Sequence, residues 1–398
     1  MQFKAALHVH STNSDGSNSL SSVIEEHYSK GYDILTITEH NYPGMHGLTR
    51  DWITAPNGIT QERFAEIADG VGRGGRPMLQ IPLTNELSMH DHLNTFFVDY
   101  NGTGTWGRHW FSAEDYPYIP ADVLADGARN LQTGLQQTQN QNGLSHLNHL
   151  GRYTGGQYDP APSNDPVIIA KYVDIFMTYS TCVGMEIINK KDGESRNDRI
   201  LWDNINTMTI PQGRTVWGFS NDDSHSNSAI GFSFNMFEMP MNGLEQFRAA
   251  MRSGSFYVVA KVAWNEGVNN QDLNTPTPVV TSVAASAASI TVTAENYHRI
   301  DWITEGTRVI AQGNTIDITA LAGELGCFVR ANIIGSGGIV FTQPFVVAKL
   351  PAHSNIDRPD WGVTDRPGWG VTDRPGWGVT DRPGWGVTDR PGWGVPVP

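Results

Sequence analysis

LHVHSTNSDG, residues Leu7–Gly16, is the stretch whose reading decides the fold. His8 and His10 stand two apart at the end of the apolar run FKAALHVH, and Asp15 follows in a turn-forming segment of Ser, Asn and Gly. On a strand, residues i and i+2 project from one face, so both imidazoles aim the same way. A single histidine at a strand end is more often a hydrogen-bonded structural residue than a ligand. The pair gains meaning from what other strands bring to it.

Outward from this stretch the same ending recurs. Strand-length apolar runs DILTITEH, PMLQIPLTNE, LNTFFVDY, NGLSHLNH, VGMEIIN and TVWGFSNDD each finish in polar residues. His40 closes the first and Glu86 the second, His92 opens the third, His149 closes the fourth, and Asp223 with His225 follows the last. Between the first two runs of the chain, Leu20, Val23, Ile24, His27 and Tyr28 share one face at helical spacing. Ser22 with Glu25 fits a capping box, and Gly31 a C-terminal stop. Strand, helix, strand predicts a parallel pair with a right-handed crossover, and its repetition predicts a barrel or a wound sheet. Ligands collect at the carboxyl ends of strands in such architectures. Unpaired imidazoles and carboxylates at the ends of buried strands would cost stability by desolvation, and a shared cation removes that cost. The candidate metal ligands are therefore His8, His10, Asp15, His40, Glu86, His92, His149, Asp223 and His225. His90 and His146, two and three residues from His92 and His149, stay open as replacements.

This pattern resembles the polymerase and histidinol phosphatase (PHP) superfamily of metal-dependent phosphoesterases. The resemblance is carried by HVHSTNSDG, TITEHN, the glutamate of TNELS, the second histidine of HDHLN, LNHLGR and SNDDSHS, over roughly the first 260 residues. It implies a distorted (β/α)7 barrel holding three divalent metal ions. An imidazole and carboxylate set without thiolate suits Zn, Mn or Fe. By the resemblance, His8, His10, Glu86 and Asp223 hold one ion, Glu86 shares a second with His92 and His149, and Asp15, His40 and His225 hold the third. Leu150 stands where many members have proline, and Glu39 where aspartate is common. The implied reaction is phosphoester hydrolysis by a metal-bridging hydroxide at a trinuclear site. Glu86, Asp223 and Arg152 are the candidate catalytic residues, Arg152 because its planar fork suits phosphate. Lys190 and Lys191 are weaker candidates for that role, Glu186 is a candidate acid behind the ligands, and the aromatic loop around His109 a candidate pocket wall.

The rest of the chain changes character. Residues 1–262 read as the metal-binding catalytic barrel, 263–275 as a linker, 276–350 as a small all-β sandwich, and 351–398 as an irregular tail. The tail repeats an octad, from DRPDWGVT at Asp357 through copies of DRPGWGVT to a final DRPGWGVP. Proline and glycine in every copy oppose helix and regular strand. The alternating C-terminal β pattern resembles the carbaryl-hydrolase-like branch, which implies a second reading as a hydrolase of a carbamate or carboxylic ester. A third reading is a structural or assembly protein in which residues 357–398 mediate self-association through tryptophan, arginine and aspartate ladders. Thr364, Thr372, Thr380 and Thr388 are candidate O-glycan acceptors.

Charge and length narrow the partners. The 398 residues carry a net charge of −14, which argues against coating nucleic acid and leaves a small phosphate ester, or another ester, as the expected partner. No apolar run reaches the ~18 residues of a membrane span, and no membrane partner is expected. The N-terminus lacks the apolar core of a signal peptide, so the chain reads as cytoplasmic. The repeat tail and the scarcity of lysine leave an extracellular or virion-associated location as the alternative. Cys182 and Cys327 are too few and too far apart for a disulfide framework.

Overall fold

The computed structural model describes residues 1–40, 49–88, 91–99 and 127–347. His90, His109 and the octad tail, with every reading placed on them, lie outside the described residues.

The first part of the chain supplies ten strands: β1 Gln2–Ala6, β2 Ile34–Leu35, β3 Leu79–Gln80, β4 Asn85–Leu87, β5 Leu93–Phe96, β6 Leu144–Leu147, β7 Cys182–Asn189, β8 Trp217–Asn221, β9 Ser233–Glu238 and β10 Phe256–Ala260. Strands β4-β5-β6-β7-β8 form one five-stranded sheet. Strands β1, β2 and β3 are parallel, and β9 and β10 add to the other edge of β1 in antiparallel fashion. The closed barrel expected from the sequence is not formed: the structure is a mixed α/β fold with several sheets. Beyond Ala6 and Leu35 the pairing thins to scattered bonds, such as Thr38 N–H to the Val9 carbonyl at 2.9 Å. Among the described residues, no continuous ladder joins the two sheets; they meet at isolated bridges, Val9 with Ser224, His40 with Glu86 and Thr49 with Thr84, and through side-chain bonds such as Ser220 with Asn235. The seams thus fall where the strands give way to the histidine-bearing loops.

Three further expectations need correction. PMLQIPLTNE is not one strand. It breaks at Leu83, whose φ of 56° is left-handed, so Leu79–Gln80 and Asn85–Leu87 enter different sheets. The sheet is not uniformly parallel, because β5 runs against both β4 and β6. Strands β9 and β10 were not anticipated, since their residues carry no chemistry-bearing end. The first helix, Leu20–Ser29, buries the expected face of Leu20, Val23, Ile24, His27 and Tyr28. Its cap is Ser19, which accepts from the Ser22 N–H at 3.2 Å, and not the Ser22–Glu25 box.

The C-terminal strands are β11 Val262–Ala263, β12 Val268–Asn269, β13 Val279–Ala285, β14 Ser289–Glu295, β15 Arg299–Thr304, β16 Arg308–Gln312, β17 Thr315–Asp317, β18 Phe328–Gly335, β19 Gly338–Phe341 and β20 Phe345–Val346. They do not make a free-standing sandwich. β19 pairs with β10, Val258 opposite Phe341, so the large sheet runs β16-β15-β18-β19-β10-β9-β1-β2-β3 straight across the segment read as a linker. β13, β14 and β17 form a separate three-stranded sheet, and Val280, Ile290, Val292 and Ile316 join the same core as Ile300, Trp302 and Ile333.

Side chains tie the late strands to the early ones. Gln343 exchanges two hydrogen bonds with the backbone of Gly218 in β8, at 2.8 and 2.7 Å, as a neighbouring strand would. Arg330 grips buried Asp203 with Nε and Nη2 at 2.8 and 2.7 Å and lies over the Trp202 ring. Lys261 donates to the carbonyls of Asp272 and Thr275, folding residues 263–275 onto the body. Among the described residues, no helix is long and apolar enough to cross a membrane.

Candidate metal centre

The nine expected ligands converge at one mouth of the first part of the chain. Glu86 is the hub. Its Oε1 lies 3.2 Å from His8 Nε2, 2.9 Å from His92 Nδ1 and 3.3 Å from His149 Nε2. Its Oε2 lies 3.3 Å from His10 Nε2 and 3.0 Å from His40 Nδ1. Asp223 is a second hub: Oδ1 is 3.3 Å from His8 Nε2, 3.2 Å from His10 Nε2 and 3.5 Å from His225 Nδ1. Asp15 closes the outer side, 3.4 Å from His40 Nε2 and 3.2 Å from His225 Nε2.

Local structure explains how each group arrives. His8 and His10 lie just beyond β1 and share a face, as i, i+2 residues of an extended segment do. The turn that presents Asp15 closes through Gly16, whose N–H bonds the Ser11 carbonyl at 2.9 Å; a Cβ there would fall 2.8 Å from Ser11 backbone atoms. β5 runs antiparallel to β6, so His92 at its start meets His149 beyond the end of β6. His149 and Asp223 both have left-handed backbone, φ 31° and 46°. Such strained residues persist only where their surroundings fix them, and they cluster at functional sites.

A ring of polar groups fixes the ligands in turn. His8 Nδ1 is 2.7 Å from Glu186 Oε1, an arrangement that sets the tautomer and frees Nε2 for the centre. Glu186, fully buried, also accepts from Asn189, Asn221 and the His149 N–H at 2.9, 2.9 and 3.0 Å. Asn148 donates to Glu86 Oε1 at 2.8 Å. Glu39 accepts from the Ser11 N–H and from the hydroxyls of Ser11 and Ser14, which anchors the loop between His10 and Asp15. The Glu-for-Asp departure at residue 39 is thus accommodated behind the ligands.

The donor atoms fit a divalent cation. His8 Nε2, His10 Nε2, Glu86 Oε2 and Asp223 Oδ1 are buried and have no hydrogen-bond partner. Orphaned polar atoms at such depth are costly, and bound cations would satisfy them. Groups close enough to share one include His8, His10 and Asp223; His8, Glu86 and His149; His40, Glu86 and His92; and His10, Asp15, His40 and His225. The grouping differs from the expected sets: Glu86 is absent from the group of His8, His10 and Asp223, His92 and His149 share Glu86 in separate groups, and His10 joins the expected trio of Asp15, His40 and His225.

The electrostatics say the same. Burial alone would push His8 down, but Asp223, Glu86 and Glu186 outweigh it and hold its pKa well above the usual imidazole value. Burial is outweighed likewise at His40, raised to about 10 beside Glu86 and Asp15. Burial would push the carboxyls of Glu86 and Asp223 up, yet the facing imidazoles, and at Asp223 also Lys190, hold both well below the usual range. His92 is the exception: burial prevails over Glu86 and lowers it to about 4, leaving a neutral, ligand-ready ring. The cluster draws positive charge strongly, whether as protons or as metal.

Other candidates stand away from the ligands. Arg152 does not reach the ligands. Its side chain is 47% exposed and its Nη1 lies 3.4 Å from Glu194 Oε2. His146 does not compete with His149. It is buried, stacks on Phe219 at 4.6 Å and faces Phe96, and burial lowers its pKa to about 4. Lys191 also turns away, its ammonium 3.6 Å above the Phe232 ring. Two contributors went unread or under-read. Glu194 lies near enough to His149 and Asp223 to share a cation with them; its only mark in the sequence is that of an acid after a lysine pair. Lys190 Nζ sits 3.1 Å from Asp223 Oδ2 and 3.5 Å from Glu194 Oε1.

No protein-family model matches the sequence, and no curated protein matches it. Several solved structures align with parts of the chain. A two-domain protein from Bacteroides vulgatus containing a predicted PHP-like metal-dependent phosphoesterase is 13% identical, with a TM-score of 0.41 over 86% of this chain and 95% of that one. The lesion-specific endonuclease EndoQ of Pyrococcus furiosus is 14% identical, with a TM-score of 0.32 over 63% of this chain and 56% of that one. An amidohydrolase from Chromobacterium violaceum is 15% identical, with a TM-score of 0.32 over 62% of this chain and 96% of that one. These likenesses are distant, and the chemistry rests on the donor geometry.

Proposed function

We propose that this chain is a metal-dependent hydrolase of the PHP type, acting on a phosphate ester. The observation that carries the reading is the set of buried ligand atoms on His8, His10, Glu86 and Asp223 that make no hydrogen bond. Divalent cations bound there supply Lewis acidity and make water a nucleophile near neutral pH. The chain's own residues do the rest. Glu86, with one oxygen toward His8, His92 and His149 and the other toward His10 and His40, is built to bridge two positions. Glu186 fixes the His8 ring, and Asn148 fixes the Glu86 carboxylate. Lys190 and, farther out, Arg152 place positive charge on one side of the mouth, where an anionic substrate would enter.

Elemental analysis of the purified chain tests the metal part: about three divalent ions are expected, as the donor groups allow. Turnover of p-nitrophenyl phosphate, bis-p-nitrophenyl phosphate and a naphthyl carbamate by the metal-loaded protein tests the substrate part. Preference for a phosphate ester supports the proposal. Hydrolysis of the carbamate alone would replace it with the aryl-ester reading, and a chain free of metal after growth with Zn and Mn would end both.

A further inference from the structure

Three consecutive residues after β7, Lys190, Lys191 and Asp192, have left-handed backbone, with φ of 45°, 55° and 63°. None is glycine, and each is unfavourable there, so the surroundings must hold the turn. The clamp is visible. Buried Asp192 takes both Nη atoms of Arg199 at 2.7 and 2.9 Å, the Trp264 N–H at 2.7 Å and the Ser195 hydroxyl at 3.1 Å. Arg199 is held in turn by Glu266 at 2.8 and 2.9 Å and by the carbonyls of Ile187 and Ser195. The turn sends the two lysines to opposite sides, Lys191 onto Phe232 and Lys190 onto Asp223.

We propose that Lys190 receives the oxyanion of a tetrahedral, multiply charged substrate group such as a phosphoryl, and that Asp192 is the positioning residue that keeps it there through the left-handed turn. This rests on the hydrolase reading and names the residues that would hold the substrate's charged group at the same site. The charge balance argues for it. Five carboxylates, Asp15, Glu86, Glu186, Glu194 and Asp223, lie at or against the candidate ion sites, and three divalent ions with the Lys190 ammonium would outweigh them. That leaves an excess of positive charge which a multiply charged anion offsets. His149, Glu194 and Asp223 stand close enough to share a cation, and the Lys190 ammonium lies 3.1 and 3.5 Å from the two acids. The Lys190 ammonium thus brings positive charge to that corner. An ammonium has three donors, of which two point at Asp223 and Glu194, so one remains for an incoming oxygen. The side chain is 32% exposed, so an incoming group can reach it. Arg152, on the far oxygen of Glu194, extends the same positive edge outward.

The test uses the metal-loaded full chain, with inorganic phosphate as the probe in calorimetric titration and elemental analysis run alongside. Lys190→Met should keep its metal, weaken phosphate binding by roughly tenfold or more, and raise KM for p-nitrophenyl phosphate more than it lowers kcat. Lys190→Arg should recover part of the affinity. Asp192→Asn should weaken phosphate binding although Lys190 is still present. Lys190→Met alters a part-exposed side chain, so it decides the matter even where Asp192→Asn does not fold. Unchanged phosphate affinity in Lys190→Met with metal in place would overturn the proposal, and so would loss of metal from that variant, since Lys190 would then serve only to balance Asp223. A wild-type chain that binds no divalent metal sinks the hydrolase reading itself, and this one with it.

Discussion

Glu86 touches five imidazoles, three through one oxygen and two through the other. Glu86→Gln keeps the shape and removes the charge. Elemental analysis of that variant should show at least half of the metal lost, and hydrolysis should fall by roughly 100-fold or more. Glu194→Gln should keep the full complement, because Lys190 already serves that corner. His27 gives a pH dependence away from the centre. It is buried, with Nδ1 on the Val23 carbonyl at 2.8 Å, and burial lowers its pKa to about 3. The folded state therefore binds fewer protons than the unfolded one between its ordinary value near 6.5 and about 3. Its contribution is whole above 6.5 and is lost as pH falls, by up to about 1.4 kcal/mol per pH unit. The gap between wild type and His27→Leu in urea midpoint should shift in favour of the variant from pH 7 to pH 5. A gap that stays constant would contradict the buried neutral ring. At this scale the sequence was informative for a physical reason: two-apart histidines and acids at the ends of apolar runs have few cheap fates. Glu186 was readable as an acid behind the ligands. Lys190 was readable only weakly, because its position depends on a left-handed turn that no local pattern of Lys, Lys and Asp announces.

Direction and pairing of elements were harder to read than their residues. The apolar run at Pro77–Glu86 has strand composition throughout, and only the Leu83 backbone, set by the tertiary fold, divides it between two sheets. β5 looks like any other short strand, and its reversal is what brings His92 to the same mouth as His149. The joining of β19 to β10 is a long-range pairing that alternation within either strand does not encode. Gln343 tests how firmly that late region is tied in. Gln343→Ala would strand the N–H and carbonyl of Gly218, both now paired, in a buried place. It should cost about 1–3 kcal/mol in urea unfolding, with little change in metal content. A loss of under about 0.5 kcal/mol would show that water replaces the amide there.

For the whole molecule, backbone pairing is thinnest at the seams between the two sheets, where Val9 meets Ser224 and His40 meets Glu86. The candidate ligands cross both seams, so bound ions and fold should stabilise each other. Free metal at a hundredfold excess over its dissociation constant adds about 2.7 kcal/mol per site. A chelator should therefore lower the thermal midpoint of the wild-type chain, and Zn or Mn should restore it. Glu86→Gln should respond much less. An equal response in both would mean that the stabilising ion binds elsewhere.

The seam between Val9 and Ser224 also bears on how the protein is made. A ribosome releases the histidines near the N-terminus long before Asp223 and His225, which they must face. Early in translation those side chains have no completed nest to enter, and chains truncated short of residue 225 would never acquire one. Ion loading at these ligands would thus come late in biosynthesis, and any quality check keyed to it would report on a nearly finished polypeptide.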